Sequence, residues 1–162
     1  MKVLGIAVSS SALHYGALQH ISGISLVPGA PERLGPADGL TGCERTADTY
    51  RRIYQDIHVL APDIVVLVAT RKHNNWLYRQ AADRATLVTL VQLACHEDGI
   101  RCEEWNTEKI GKLIGAPAPS LHDVPLETIG AADRPKYWKL GRGDAFAAAL
   151  AALHESEADN NR

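Results

Sequence analysis

With 162 residues, 46% of them hydrophobic and 22% charged, the chain can bury one substantial core. Its formal charge of −2 supplies no overall drive towards nucleic acid or an anionic membrane, and it holds no run of about 18 apolar residues able to span a bilayer. Cys43, Cys95 and Cys102 are odd in number and form no Cys-x-x-Cys pair, which argues against a disulfide framework and a thiolate zinc site.

The apolar run over residues 2–9, bounded by Ser10 and Ser11, reads as a buried first strand. It is too short and too strand-like for a signal peptide, so a cytoplasmic protein is expected. Residues 12–19 and 21–27 continue as two more strands of a meander. Residues 28–43, rich in proline and glycine, read as a surface loop. From Thr46 the period changes: Tyr50, Ile53, Tyr54, Ile57 and Leu60 mark one face of a helix that stops at Ala61 and Pro62. The continuous β-branched run over residues 63–69 suits a central strand covered on both faces.

Asn74 or Asn75 can cap the next helix, which passes through Leu77, Ala81, Ala85 and Val88 to about Glu97 and ends at Gly99. Leu87, Val88, Leu90, Val91, Leu93 and Ala94 make it apolar nearly all round, as in a helix that packs on its own sheet and on a second subunit; packing in the core alone is the alternative. Residues 100–105 form a fifth strand, Thr107 opens a short helix over residues 108–114, and a second irregular stretch follows. The final helix begins at Asp144, and Phe146, Ala149, Leu150 and Leu153 give it a buried face. Asp144 therefore has a fixed position in a docked first turn, either as a helix cap or as a chemical group. Residues 1–154 are expected to be one domain and residues 155–162 a polar tail.

Charge is unevenly placed. Arg71, Lys72, Arg79 and Arg84 are accompanied only by Asp83, and Arg134, Lys136, Lys139 and Arg142 by no acid between 134 and 143. Asn74, Trp76 and Tyr78 lie in the first segment and Tyr137 and Trp138 in the second. Cations contact phosphates and aromatic rings stack on unpaired bases, so the two segments are candidates for distorted or single-stranded nucleic acid; the alternative places the rings in the core and the cations on a solvated rim. The histidines include no His-x-x-x-His pair, His122-Asp123 is an adjacent pair that reads as surface, and no phosphate-binding glycine loop follows a strand.

Three stretches carry a family resemblance: Leu4-Gly-Ile-Ala-Val-Ser-Ser10, Ala61-Pro-Asp-Ile-Val-Val-Leu-Val68 and Gly143-Asp-Ala-Phe-Ala-Ala-Ala-Leu-Ala-Ala-Leu153. In this order and at these separations the chain resembles the RuvC-type Holliday-junction resolvase branch of the RNase H-like superfamily. The resemblance implies an α/β fold with a mixed five-stranded sheet flanked by helices. It also implies a carboxylate cluster from the first strand, the fourth strand and the last helix, holding two magnesium ions that activate water and stabilise the leaving oxygen. Carried over position by position, however, the first-strand acid falls on Ala7, the fourth-strand acid on Val68 and an acid one turn before the last on Gly141. Only Asp144 matches.

The expected function is therefore a catalytically inactive, resolvase-like module for nucleic-acid binding or assembly, with no resident cofactor. Its preferred partner is branched or single-stranded nucleic acid, DNA ahead of RNA, bound through Arg71, Lys72, Asn74, Arg79, Arg134, Lys136, Lys139 and Arg142. A homodimer through the helix over residues 76–97 is expected, and no membrane. Two alternatives stand beside it: a divergent Mg2+-dependent endonuclease with a metal site rebuilt around Asp144, drawing on loop acids such as Asp38, Glu44, Asp123 or Asp133, and a protein-interaction scaffold.

Overall fold

A computed structural model describes residues 1–9, 11–69 and 75–160. The strands are β1 (Lys2–Ser9), β2 (Ala12–His20), β3 (Ile24–Leu26), β4 (Arg33–Leu34), β5 (Ile64–Val68) and β6 (Arg101–Trp105). The helices are α1 (Gly42–Leu60), α2 (Tyr78–Glu97), α3 (Thr107–Ile114) and α4 (Arg142–Asn160). They form a mixed sheet in the order β3-β2-β1-β5-β6, with β4 also pairing with β2. β2 runs antiparallel to β1, and β5 and β6 run parallel to it.

The strand period of two divides the buried residues between two cores. Val3, Ala7, Leu18, Ile64, Val66 and Val68 face α4. Leu4, Ile6, Val8, Leu13, Tyr15, Val65 and Leu67 face α1 and α2. Because both faces of β1 and β5 are covered, both strands are apolar without alternation.

Several boundaries differ from the sequence reading. The sheet has six strands, because residues 33–34 leave the expected loop and pair with Leu13 and His14 of β2, burying Leu34. A pair of residues is too short to show a period, so this strand is set by its partner. α1 starts at Gly42, one turn before Thr46. Asn74 lies outside the described residues and Asn75 is not the cap of α2. Gln80 reaches back instead, its side-chain oxygen accepting from the Leu77 N–H at 3.1 Å. Asn106, rather than Thr107, caps α3, accepting from the Lys109 N–H at 2.7 Å. α4 runs to Asn160, and its last turns are tied down by Lys109–Glu155 at 2.9 Å and His20–Glu157 at 3.0 Å.

Along α2, Leu87, Leu90, Val91, Ala94 and Cys95 are buried against the sheet, but Leu93 is 42% exposed and Tyr78 is 90% exposed. Among the described residues, no helix is long and apolar enough to cross a membrane.

Candidate functional site

The position of Asp144 follows from two glycines. Gly5 of β1 and Gly16 of β2 lie directly opposite each other in the ladder, and a Cβ on either would collide with the backbone of α4 at Ala145 or Phe146. The bare ladder lets the alanine-rich face of α4 lie almost on the sheet. Gly143 does the same on the other side of the helix, where a Cβ would come within 2.7 Å of the His122 Cβ and 3.0 Å of the Trp138 ring. The start of α4 is thus clamped between the strands and the turn carrying His122.

Asp144 opens into a cleft of about 270 Å3 at the ends of β1 and β5. Ala7, Ser9 and Val68 contribute its strand side, Trp76 and Arg84 one wall, and Lys139 to Gly141 the other. Ile6 and Leu67 are register partners, so Ala7 and Val68, one residue further along parallel strands, are neighbours too. Asp144 is the only acid in this lining. Burial raises its carboxyl above the usual range, while the His122 side chain and main chain pull it back down. The His122 Nδ1 lies 3.7 Å from the Asp144 carboxylate.

Position 141, where the resemblance implies a further acid, is tightly enclosed. Gly141 has φ of 134°, and a Cβ there would sit 3.1 Å from the His14 ring and 3.6 Å from the Ser9 Cβ. His14 projects from β2 into the space a side chain at 141 would need. It is 2% exposed, and its Nδ1 is buried without a hydrogen-bond partner. Burial, and then the charges of Arg33 and Arg142, lower its pKa to about 4, so the imidazole is neutral near pH 7.

The expected nucleic-acid residues separate into groups. Arg71, Lys72 and Asn74 lie outside the described residues. Arg79, Arg134, Lys136 and Lys139 are exposed, and no carboxylate lies within 4 Å of any of them among the described residues. Arg142 is a correction: its side chain is 9% exposed, its Nε donates to the Tyr15 carbonyl at 3.0 Å, and its guanidinium pairs with Glu32 at 3.1 Å and covers the Phe146 ring. It fastens α4 to β2. Among the aromatic residues, Trp138 belongs to the core, stacked on Phe146 and donating from its Nε1 to the His122 carbonyl, whereas Tyr137 and Tyr78 are exposed.

Sequence reasoning overlooks His14, a polar residue among the apolar ones at the start of β2 that carries no motif, and Arg33, which lies in a stretch without period. His122 lies near both acids: its Nε2 is 3.8 Å from its sequence neighbour Asp123, and its Nδ1 is 3.7 Å from Asp144 across the fold.

The donor set does not fit a pair of magnesium ions. Such a centre needs several anionic oxygens to replace water and neutralise charge, and the cleft offers one carboxylate facing a methyl and an isopropyl group. Asp38, Glu44, Asp123 and Asp133 are exposed and outside the lining. Among the described residues, no group of three or more histidine, cysteine or acidic side chains is placed to hold a metal.

The chain matches no protein-family model and no curated protein sequence. Its fold matches solved structures. Thermus thermophilus RuvC aligns at TM-score 0.78 and 18% identity, over 98% of this chain and 97% of that one. The same protein in complex with Holliday junction substrate aligns at 0.76 and 18% identity, over 97% and 95%. The yeast mitochondrial Holliday junction resolvase Ydc2 aligns at 0.63 and 9% identity, over 94% and 77%. The architecture is therefore the RuvC-like form of the RNase H-like fold.

Proposed function

We propose that this protein is a nucleic-acid-binding module on a RuvC-like fold that has lost metal-dependent hydrolysis. The observation that carries this reading is that Ala7 and Val68 share one cleft with Asp144, leaving a single carboxylate where two-ion chemistry needs a cluster. Losing the other acids also removes repulsion for a phosphate, and Arg79, Lys136 and Lys139 offer cations with no carboxylate within 4 Å among the described residues. The preferred ligand is branched or single-stranded DNA. Support for a branched one comes from the similar fold of T. thermophilus RuvC, solved with Holliday junction substrate. Support for unpaired bases comes from Tyr137, an exposed ring among cations.

A second copy of the chain would pack on α2, whose outer face presents Leu77, Tyr78, Ala81, Ala85 and Leu93. Sedimentation should give a dimer, and Leu93→Asp combined with Tyr78→Asp should give a folded monomer; a wild-type monomer at working concentration refutes this arrangement.

The decisive assay incubates the protein with four-way junction, single-stranded and duplex DNA, and with RNA, in magnesium or manganese. Binding without cleavage is the expected result. A second reading, a metal-dependent endonuclease rebuilt around Asp144, draws on the His122 imidazole 3.7 Å away. Turnover abolished by Asp144→Ala would establish that reading in place of the first. No binding even at low salt would leave a protein-interaction scaffold.

A further inference from the structure

We infer that Arg33, with Lys136 and the ring of Tyr137, forms a second phosphate-binding site at the β4 edge of the sheet, which holds the backbone of a nucleic-acid strand after it leaves the cleft. The inference rests on the nucleic-acid reading above and extends it to residues outside the cleft. β4 sets Arg33 opposite His14 in the ladder, so the backbone that carries this cation is held by strand pairing. Its guanidinium lies 5.6 Å from the centre of the Tyr137 ring, which restrains the side chain without consuming its donors.

Tyr137 is itself held in an unusual state. Its φ is 60°, a left-handed conformation that a bulky residue rarely adopts, and yet its side chain stays 41% exposed. Strain spent on keeping an aromatic ring at the surface against a guanidinium is hard to account for by core packing. Trp138, the next residue, supplies that packing instead.

The local charge favours an anion. Arg33 and Lys136 are exposed, and no carboxylate lies within 4 Å of either among the described residues. Two acids stand near Arg33: Glu32, whose carboxylate is taken up by the buried Arg142 at 3.1 Å, and Asp56, which lines a shallow cleft with Arg33 and the further cation Arg52. His14 adds no competing acid. Its ring packs beneath Gly141 on the cleft side and tilts against Tyr137, 6.3 Å between centres, on the other. The cleft and the β4 edge are therefore adjacent surfaces of one wall, joined by the exposed residues 139–140. A strand passing Lys139 reaches Tyr137 and Arg33 next. A planar guanidinium already lying over a ring is suited to grip a phosphodiester with two parallel hydrogen bonds.

The test is a salt titration by fluorescence anisotropy on the full chain, with labelled single-stranded DNA and a four-way junction. Arg33→Gln should reduce the slope of log affinity against log salt by about 0.7 on the single strand, the effect of one phosphate contact, and weaken binding roughly fivefold at 0.1 M salt whatever the base sequence. Arg33→Lys should keep the slope. Since Arg33 is exposed, unchanged melting of both variants would separate lost contact from lost fold. An Arg33→Gln slope equal to wild type, while Lys139→Ala lowers it, overturns the Arg33 site and leaves the cleft reading standing. Wild type that binds neither DNA at low salt overturns both.

Discussion

His14 shows how one buried residue constrains its neighbour and responds to pH. Its ring would lie 3.1 Å from a Cβ at position 141, a tight contact that adds to the φ of 134° in favouring glycine there. Burial makes the charged form of His14 costly, and its pKa falls to about 4. The unfolded chain therefore takes up this proton first, near pH 6.5, and between pH 6.5 and 4 it binds more protons at this site than the fold does. The contribution to stability is intact above that window and is lost as pH drops through it, by on the order of 3 kcal/mol at the lower end. Denaturant unfolding at several pH values should show this, and His14→Gln should flatten that part of the profile. An identical slope in the variant would remove His14 as its source. Arg142 behaves differently from the other cations. Arg142→Ala should cost about 2–3 kcal/mol by stranding the Tyr15 carbonyl and uncovering Phe146, with DNA affinity of the folded fraction kept.

At the scale of elements, α4 and β1 define the site together. The helix owes its depth to Gly5 and Gly16, and Asp144 can stand over the end of β1 only because those positions lack a side chain. Gly5→Ala should therefore shift the helix outward and destabilise the protein by about 3 kcal/mol or more, measurable as a lower denaturation midpoint at unchanged m-value. A loss below about 1 kcal/mol would show that the contact yields easily. Most elements were legible because each rests on a local signal: continuous β-branched residues for β5, three-and-four spacing for α1, left-handed glycine at the end of α3. β4 was not, since two residues have no period and their pairing with β2 is a non-local choice. α2 was legible in extent but not at its start, where Gln80 caps without a recognised cap residue before it.

For the whole molecule, the question is whether Ala7, Val68 and Asp144 form one place. Ala7→Asp combined with Val68→Glu places carboxylates on both strands opposite Asp144. Without metal the crowded acids should lower the melting temperature, and manganese should recover it. At a concentration one hundred times the dissociation constant that recovery is worth about 2.7 kcal/mol. Wild type under the same titration should not shift. A double variant indifferent to manganese would mean that the three positions do not converge.

The sequence by itself determined the type and order of most elements, because β-strand and helix periods can be read without knowing any distance, and it shows that no acid lies between Ile64 and Ala69. The matching of Ala7 and Val68 to acid positions comes from the family resemblance alone. The sequence also placed Asp144 in the first turn of a docked helix. Only the tertiary structure decided what surrounds that carboxylate. His122 arrives from a turn distant in sequence, His14 fills the space beside Gly141, and Arg142, one of a row of similar cations along the chain, is drawn inward while Lys136 and Lys139 stay in water. Burial and pairing are properties of packing between distant segments, and a charged residue has the same letter in either environment.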